Sequence, residues 1–164
     1  MAVKMDAKKK KVIDVLNKAR AMELGAISQY MDQHYLLDDL DYGRLAKKIK
    51  KIAIDEMRHA EKLAERVKEL DGMPTHEHLG GMKKSQTVND VYPIAVAMED
   101  DTIEKYNDFM NVCRDCGDNV SAELFKKLLL EEQDHYNYFD DEERHIKTLG
   151  NAYLAELAGS GEAD

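Results

Sequence analysis

Apolar residues recur at intervals of three and four in four long stretches of the chain, the spacing of one face of an α-helix. In the first, Leu16, Ala19, Ala26, Ile27 and Tyr30 share a face. In the second, Leu45, Ile49, Ile52, Leu63, Val67 and Leu70 do so. The third runs Val88, Tyr92, Ala95, Ile103, Tyr106 and Met110, and the fourth Leu124, Leu128 and Phe139. Turn-forming residues separate them at Leu40-Asp41-Tyr42-Gly43, at Asp71 to Ser85, and at Cys116-Gly117-Asp118-Asn119. The first and last breaks are short, so helices one and two, and three and four, should lie antiparallel. The middle break is long enough to carry the chain back along a bundle roughly 40 Å tall, at about 1.5 Å of rise per residue. The expected fold class is therefore all-α: an antiparallel four-helix bundle over about residues 6–148, with one long crossover between helices two and three. A short fifth helix is expected near 151–158 and a frayed tail over 159–164, the whole of 1–164 forming a single domain.

Polar residues break these apolar faces at regular places. Glu23, Glu56, Glu99 and Glu132 stand where the period calls for an apolar side chain, and Glu56-x-x-His59 and Glu132-x-x-His135 set an imidazole on the same face as a carboxylate. Glu132 lies 76 residues after Glu56; the same offset carries His59 onto His135, Glu23 onto Glu99 and Tyr30 onto Tyr106. Four coincidences at one offset mark a duplicated helical hairpin with pseudo-twofold symmetry.

An ionised carboxylate left unpaired in an apolar stripe costs several kcal/mol, so something positive has to meet these four. Two single glutamates plus two Glu-x-x-His pairs, one contribution per helix, form the donor set of di-iron and di-manganese carboxylate proteins. Four anions balance two divalent cations, each imidazole adds a nitrogen, and an oxygen-rich set favours Fe(II) or Mn(II) over soft metals. A lone Glu-x-x-His is common on solvated helices; six such groups at matched spacing are not.

Composition narrows the class. The chain has 164 residues, a net charge of −9 and only two prolines, which leaves room for long helices and disfavours nucleic acid as a partner. Neither a secretory apolar segment nor an 18-residue apolar run occurs, and a cytoplasmic protein without a membrane anchor is expected. Cys113 and Cys116 are too few for a disulfide framework or a thiolate metal site; helix-end packing is favoured over a redox disulfide. His76 and His78 in the crossover are read as inert.

At these residues the chain resembles the bacterioferritins. The stretch VLNKARAMELGAISQY at 15–30 is similar to that family's first helix, IDEMRHAEK at 54–62 to its second, and IKTLGNAYLAEL at 146–157 to its C-terminal end. The resemblance implies that Glu23, Glu56, His59, Glu99, Glu132 and His135 are catalytic ligands of two non-haem iron ions per subunit, with Glu56 and Glu132 bridging. It implies a ferroxidase that oxidises Fe(II) with O2 or H2O2 and deposits ferric mineral inside a 24-subunit homo-oligomer built from dimers, with a ferredoxin-type reductase serving iron release. Met57, beside Ala53, Ile54, Ala60 and Ala64, matches the methionine that each of two subunits gives to a haem at the twofold dimer interface; a Met on an apolar flank is otherwise packing. Tyr30 matches a tyrosine able to supply an electron, or is a packed core residue. Where some members carry a histidine one turn before Asp55, this chain has Lys51, which speaks against an inner-surface iron site.

Two rival readings use the same residues. A rubrerythrin-like peroxidase or a di-manganese catalase would share the bundle, but the first normally brings two further CxxC pairs, which are absent. A non-catalytic helical interaction module or a DNA-protecting shell would explain neither the acidity nor the six matched groups.

Overall fold

The structure is a computed structural model that describes residues 6–84 and 87–161. The described residues form five helices: α1 (Ala7–Asp39), α2 (Gly43–Glu69), α3 (Val88–Asp115), α4 (Asn119–Leu149) and α5 (Asn151–Leu157). Among the described residues there is no strand, and no helix is long and apolar enough to cross a membrane. The four long helices pack as two close antiparallel hairpins, α1 with α2 and α3 with α4, with α1 also set against α3.

The repeat reaches the element boundaries. α1 ends at Asp39 and α3 at Asp115; α2 starts at Gly43 and α4 at Asn119, each pair 76 apart. Even the turn backbone repeats. Asp41 (φ 64°) and Gly117 (φ 82°) are equivalent and both left-handed, a conformation that glycine adopts freely and aspartate tolerates better than most residues. The start of α3 carries a reciprocal cap, in which the Thr87 backbone N–H donates to Asp90 at 2.9 Å. At the start of α4, Asp118 accepts from the Ser121 N–H at 2.9 Å and from Arg66 at 3.0 Å, tying the cap of one hairpin to the end of the other.

The crossover is not a free loop. It runs along the outer side of α1, where Asn17 accepts from the Thr75 N–H (2.9 Å) and donates to the Met73 carbonyl (2.9 Å), and Arg20 donates to the Thr75 carbonyl (2.9 Å). Farther along, the Leu79 N–H donates to the Ala21 carbonyl (2.8 Å), and Gln29 both accepts from and donates to the Lys83 backbone. These anchors recur at helical spacing, so one strip of α1 satisfies backbone groups that would otherwise be orphaned against the bundle. Gly25 sits in that strip because a Cβ there would collide with the Leu79 carbonyl oxygen.

The apolar interior falls into two clusters. One gathers Leu37, Leu45, Ile49, Ile52, Tyr92 and Phe139 with Leu154 and Leu157 of α5; the other gathers Val12, Leu16, Leu63, Val67, Phe125 and Leu128. Most of the expected face residues are buried, whereas Ile27, Leu70, Ile103, Met110 and Leu124 are only partly so, and α4 buries Phe125 in preference to Leu124. The tail departs from expectation. Fraying was expected from Gly159 onward, yet the Gly159 N–H donates to the Asp41 carbonyl (2.9 Å), and Gly161 lies against Gly43 so closely that neither has room for a side chain. Residues Glu162 to Asp164 lie outside the described residues.

Candidate metal centre

Each of the four long helices brings one carboxylate into a layer between the two apolar clusters, and the burial is nearly complete: Glu23 2%, Glu56 1%, Glu99 2% and Glu132 0% exposed. His59 and His135, one turn after Glu56 and Glu132, are buried with them. The six residues form two overlapping quartets, Glu23-Glu56-His59-Glu132 and Glu56-Glu99-Glu132-His135. In each, one donor atom per residue lies within 4.8 Å of the others. Glu56 and Glu132 belong to both. The two imidazoles stack loosely between them, ring centroids 5.8 Å apart.

The internal geometry repeats the sequence symmetry. His59 Nδ1 lies 2.9 Å from Glu56 Oε2 and 2.8 Å from Glu132 Oε1, while His135 Nδ1 lies 3.0 Å from Glu56 Oε1 and 3.3 Å from Glu132 Oε2. The Tyr30 hydroxyl donates to Glu99 and the Tyr106 hydroxyl to Glu23, so each non-shared glutamate is held by a fully buried phenol from the opposite hairpin. Burial, with the facing carboxylates, pushes both phenols well above their ordinary pKa. The 76-residue offset pairs Tyr106 with Tyr30 along the chain, and its bond to Glu23 is visible only in the fold.

Both oxygens of Glu56 are buried without a directed hydrogen bond, despite the imidazoles beside them. A buried carboxylate in that condition is strongly disfavoured unless a cation meets it. Four carboxylates and two imidazoles, dry and convergent, suit a pair of divalent first-row metals with oxygen preference.

Protonation of the metal-free centre follows from the same crowding. Burial, reinforced by Glu23 and Glu99, lifts Glu56 from 4.5 to about 7 against the opposing pull of the two histidines. Burial with Glu56 and Glu23 lifts Glu132 to about 7 as well, and burial and Glu132 raise Glu99 well above its ordinary value. Burial alone would lower His135, but hydrogen bonds to Glu132 and Glu56 outweigh it and raise the ring from 6.5 to about 11. His59 moves the same way, its burial outweighed by Glu132, Glu23 and Glu56.

In each case the folded centre holds more protons than the unfolded chain. Stability is therefore lost as pH rises, from 4.5 to about 7 for Glu56 and Glu132 and from 6.5 to about 11 for His135. The melting temperature of metal-free protein should fall between about pH 5 and about pH 9, and a bound divalent metal, which takes the place of those protons, should flatten the slope. Thermal melts with and without metal across that interval check this; a rise with pH in the metal-free protein contradicts it.

Other sites of interest fall outside this layer. Met57 is 54% exposed and Ile54 37% exposed on the surface of α2, next to buried Ala53 and Ala60. Cys113 is buried and Cys116 partly so, both as free thiols; burial, Asp118 and Cys116 push the Cys113 thiol up to about 12. His76 and His78 are exposed on the crossover, and Lys51 is exposed on α2. The sequence reading missed Glu131, whose carboxylate lies 2.9 Å from His59 Nε2. The signal was present: the same 76-residue offset makes Glu131 the counterpart of Asp55, and each immediately precedes a shared glutamate.

This arrangement has known relatives. The family described as the ferritin-like domain matches residues 13–151. The bacterioferritin of Desulfovibrio desulfuricans is 54% identical over 160 residues, 98% of this chain and 89% of the relative. That of Brucella melitensis is 34% identical over 147 residues, 90% of this chain and 91% of the relative. The solved D. desulfuricans bacterioferritin, whose di-iron site was captured in different catalytic states, superposes with a TM-score of 0.93 at 52% identity, covering 99% of this chain and 97% of that one. A Rhodobacter capsulatus bacterioferritin with a metal-free dinuclear site and its haem iron in a crystallographic special position gives 0.86 at 31% identity, covering 90% and 92%. With the repeat, the crossover and the paired quartets all in place, the chain belongs to the bacterioferritins, within the ferritin-like domain family.

Proposed function

We propose that the protein stores and detoxifies iron, with Fe(II) as its substrate and the two overlapping quartets as its ferroxidase centre. The observation that carries this reading is the sharing of Glu56 and Glu132 between the quartets, which suits two ions held side by side. Glu23 with His59 would complete one site, and Glu99 with His135 the other. Iron bound there would supply the electrons that reduce O2 or H2O2.

The chain's own residues have defined tasks. The four carboxylates offset the charge that accumulates as Fe(II) becomes Fe(III), in a layer from which solvent is excluded. Glu56 and Glu132, lifted to about 7 in the metal-free centre by burial and the facing carboxylates, release protons as metal enters and take them up as it leaves. Tyr30 and Tyr106 fix the oxygens of Glu99 and Glu23 by donating to them, which leaves the other oxygen of each glutamate for metal.

Met57 fits a haem shared between two copies. Its thioether is free on the α2 surface beside exposed Ile54, and small alanines flank it. The haem iron of the R. capsulatus relative, in a special position, supports a symmetric pair of ligands. A haem between two thioethers would favour the ferrous state and deliver electrons inward for iron release. The assembly implied is a homo-oligomeric shell of 24 subunits in the cytoplasm, with a ferredoxin-type reductase as an external electron source.

Aerobic Fe(II) added in small increments tests the function. Ferric absorbance should rise rapidly up to about two iron per subunit and continue beyond it as mineral accumulates inside a particle many times the 18.7 kDa of one chain. Rapid peroxide consumption with no growth of ferric material would move the reading to a rubrerythrin-like peroxidase or catalase.

A further inference from the structure

The two halves of the centre are not equivalent, and the difference lies behind the histidines. His59 turns Nδ1 toward the shared carboxylates and Nε2 away from them, to Glu131 Oε2 at 2.9 Å. The other oxygen of Glu131 lies 3.3 Å from Lys62 Nζ, one turn along α2 from His59. A neutral ring that donates its Nε2–H to a carboxylate has its lone pair on Nδ1, the nitrogen aimed into the centre.

Asp55 is the counterpart of Glu131 and stands behind His135. There the contact fails: Asp55 Oδ2 is 3.7 Å from His135 Nε2, beyond hydrogen-bond reach. Asp55 is one methylene shorter than glutamate, and its other oxygen is taken by Arg58 Nη1 at 2.8 Å. Among the described residues His135 is therefore held only through Nδ1, with no acceptor within hydrogen-bond reach of Nε2 to fix its ring from behind, whereas His59 is clamped on both nitrogens.

We propose that Glu131, braced by Lys62, is a positioning residue that orients His59 for metal, and that Asp55 fails to do the same for His135. The site of Glu23 and His59 then binds metal more tightly than the site of Glu99 and His135. This rests on reading the six buried groups as a metal centre. Partners of this kind, holding the far nitrogen of a ligating histidine, are worth about 10- to 100-fold in metal affinity.

Co(II) titration of the assembled, metal-stripped protein, followed by its visible absorption bands, tests it without reference to turnover. Wild type should take up about two Co(II) per subunit in two separate steps. Glu131→Ala should weaken the first step by about 10- to 100-fold and merge the two, and Glu131→Gln, which keeps an acceptor oxygen, should restore part of the separation. Asp55→Glu should tighten the second step alone. Glu131 is half-exposed, so equal melting temperatures of the metal-free variants would confirm that the fold is intact. Two steps unchanged in Glu131→Ala, or a single step in wild type, would overturn this inference and leave the metal centre standing. No Co(II) uptake by wild type would remove the centre itself.

Discussion

Replacing Glu132 by alanine will slow aerobic Fe(II) oxidation by more than about a hundredfold while leaving the metal-free protein at least as heat-stable as wild type. The two halves of this expectation have one cause. Glu132 belongs to both quartets, so its loss removes a donor from each site at once, a larger defect than losing an orienting partner, which already costs about 10- to 100-fold. Without metal, the same carboxylate is fully buried among three others and lifted to about 7, so deleting it relieves repulsion and burial cost. The cavity left by truncation and the lost bonds to His59 and His135 work the other way, and Glu132→Gln, which keeps the volume and an acceptor oxygen, separates these effects from the relief of charge. Stopped-flow ferric absorbance and thermal melts of metal-stripped protein supply both readings. A variant that oxidises Fe(II) at the wild-type rate would refute the assignment of the centre.

Met57→Leu will yield particles without haem. Leucine keeps the volume and apolar character of methionine and loses only the thioether, and at 54% exposure no core packing is at stake. If one thioether from each of two subunits holds the iron, a single substitution removes both axial ligands together, so haem content should fall from about one per two subunits to none instead of by half. Visible spectra of purified protein, with particle mass as the control for assembly, decide it. Full haem occupancy in the leucine variant would reassign Met57 to packing. The same spectra in the presence of reductant show whether the wild-type band has bis-thioether character.

Much of this protein was legible along the chain because its information is periodic. A residue's place on a helix face follows from 3.6 residues per turn, whatever that face meets, so four stripes, their short turns and the long crossover could be read directly. Duplication sharpened this: one 76-residue offset aligned Glu23 with Glu99, Glu56 with Glu132 and His59 with His135, and it holds for the helix ends on either side of the two short turns as well. A charged residue repeated in an apolar stripe demands a counter-charge, and that local electrostatic fact singles out the six groups along the chain.

Contacts between elements were beyond such reading. Sequence shows that His59 shares a face with Glu56, but which ring nitrogen turns inward depends on how closely α4 approaches and on whether Glu131 reaches it. Glu131 and Asp55 differ by one methylene, and only the packing of the helices turns that into 2.9 Å on one side and 3.7 Å on the other. The crossover has no periodic signal of its own, yet Asn17, Arg20 and Gln29 bind its backbone along α1 and Gly25 makes space for it. The glycines of the tail suggested a loose end, whereas the turn at Asp41 offers Gly159 a carbonyl and Gly43 leaves room for Gly161. Periodicity is a property of one helix and is written in its residues. Reach, clearance and the partner of a ring nitrogen are properties of two elements together, and they exist only once the helices have packed.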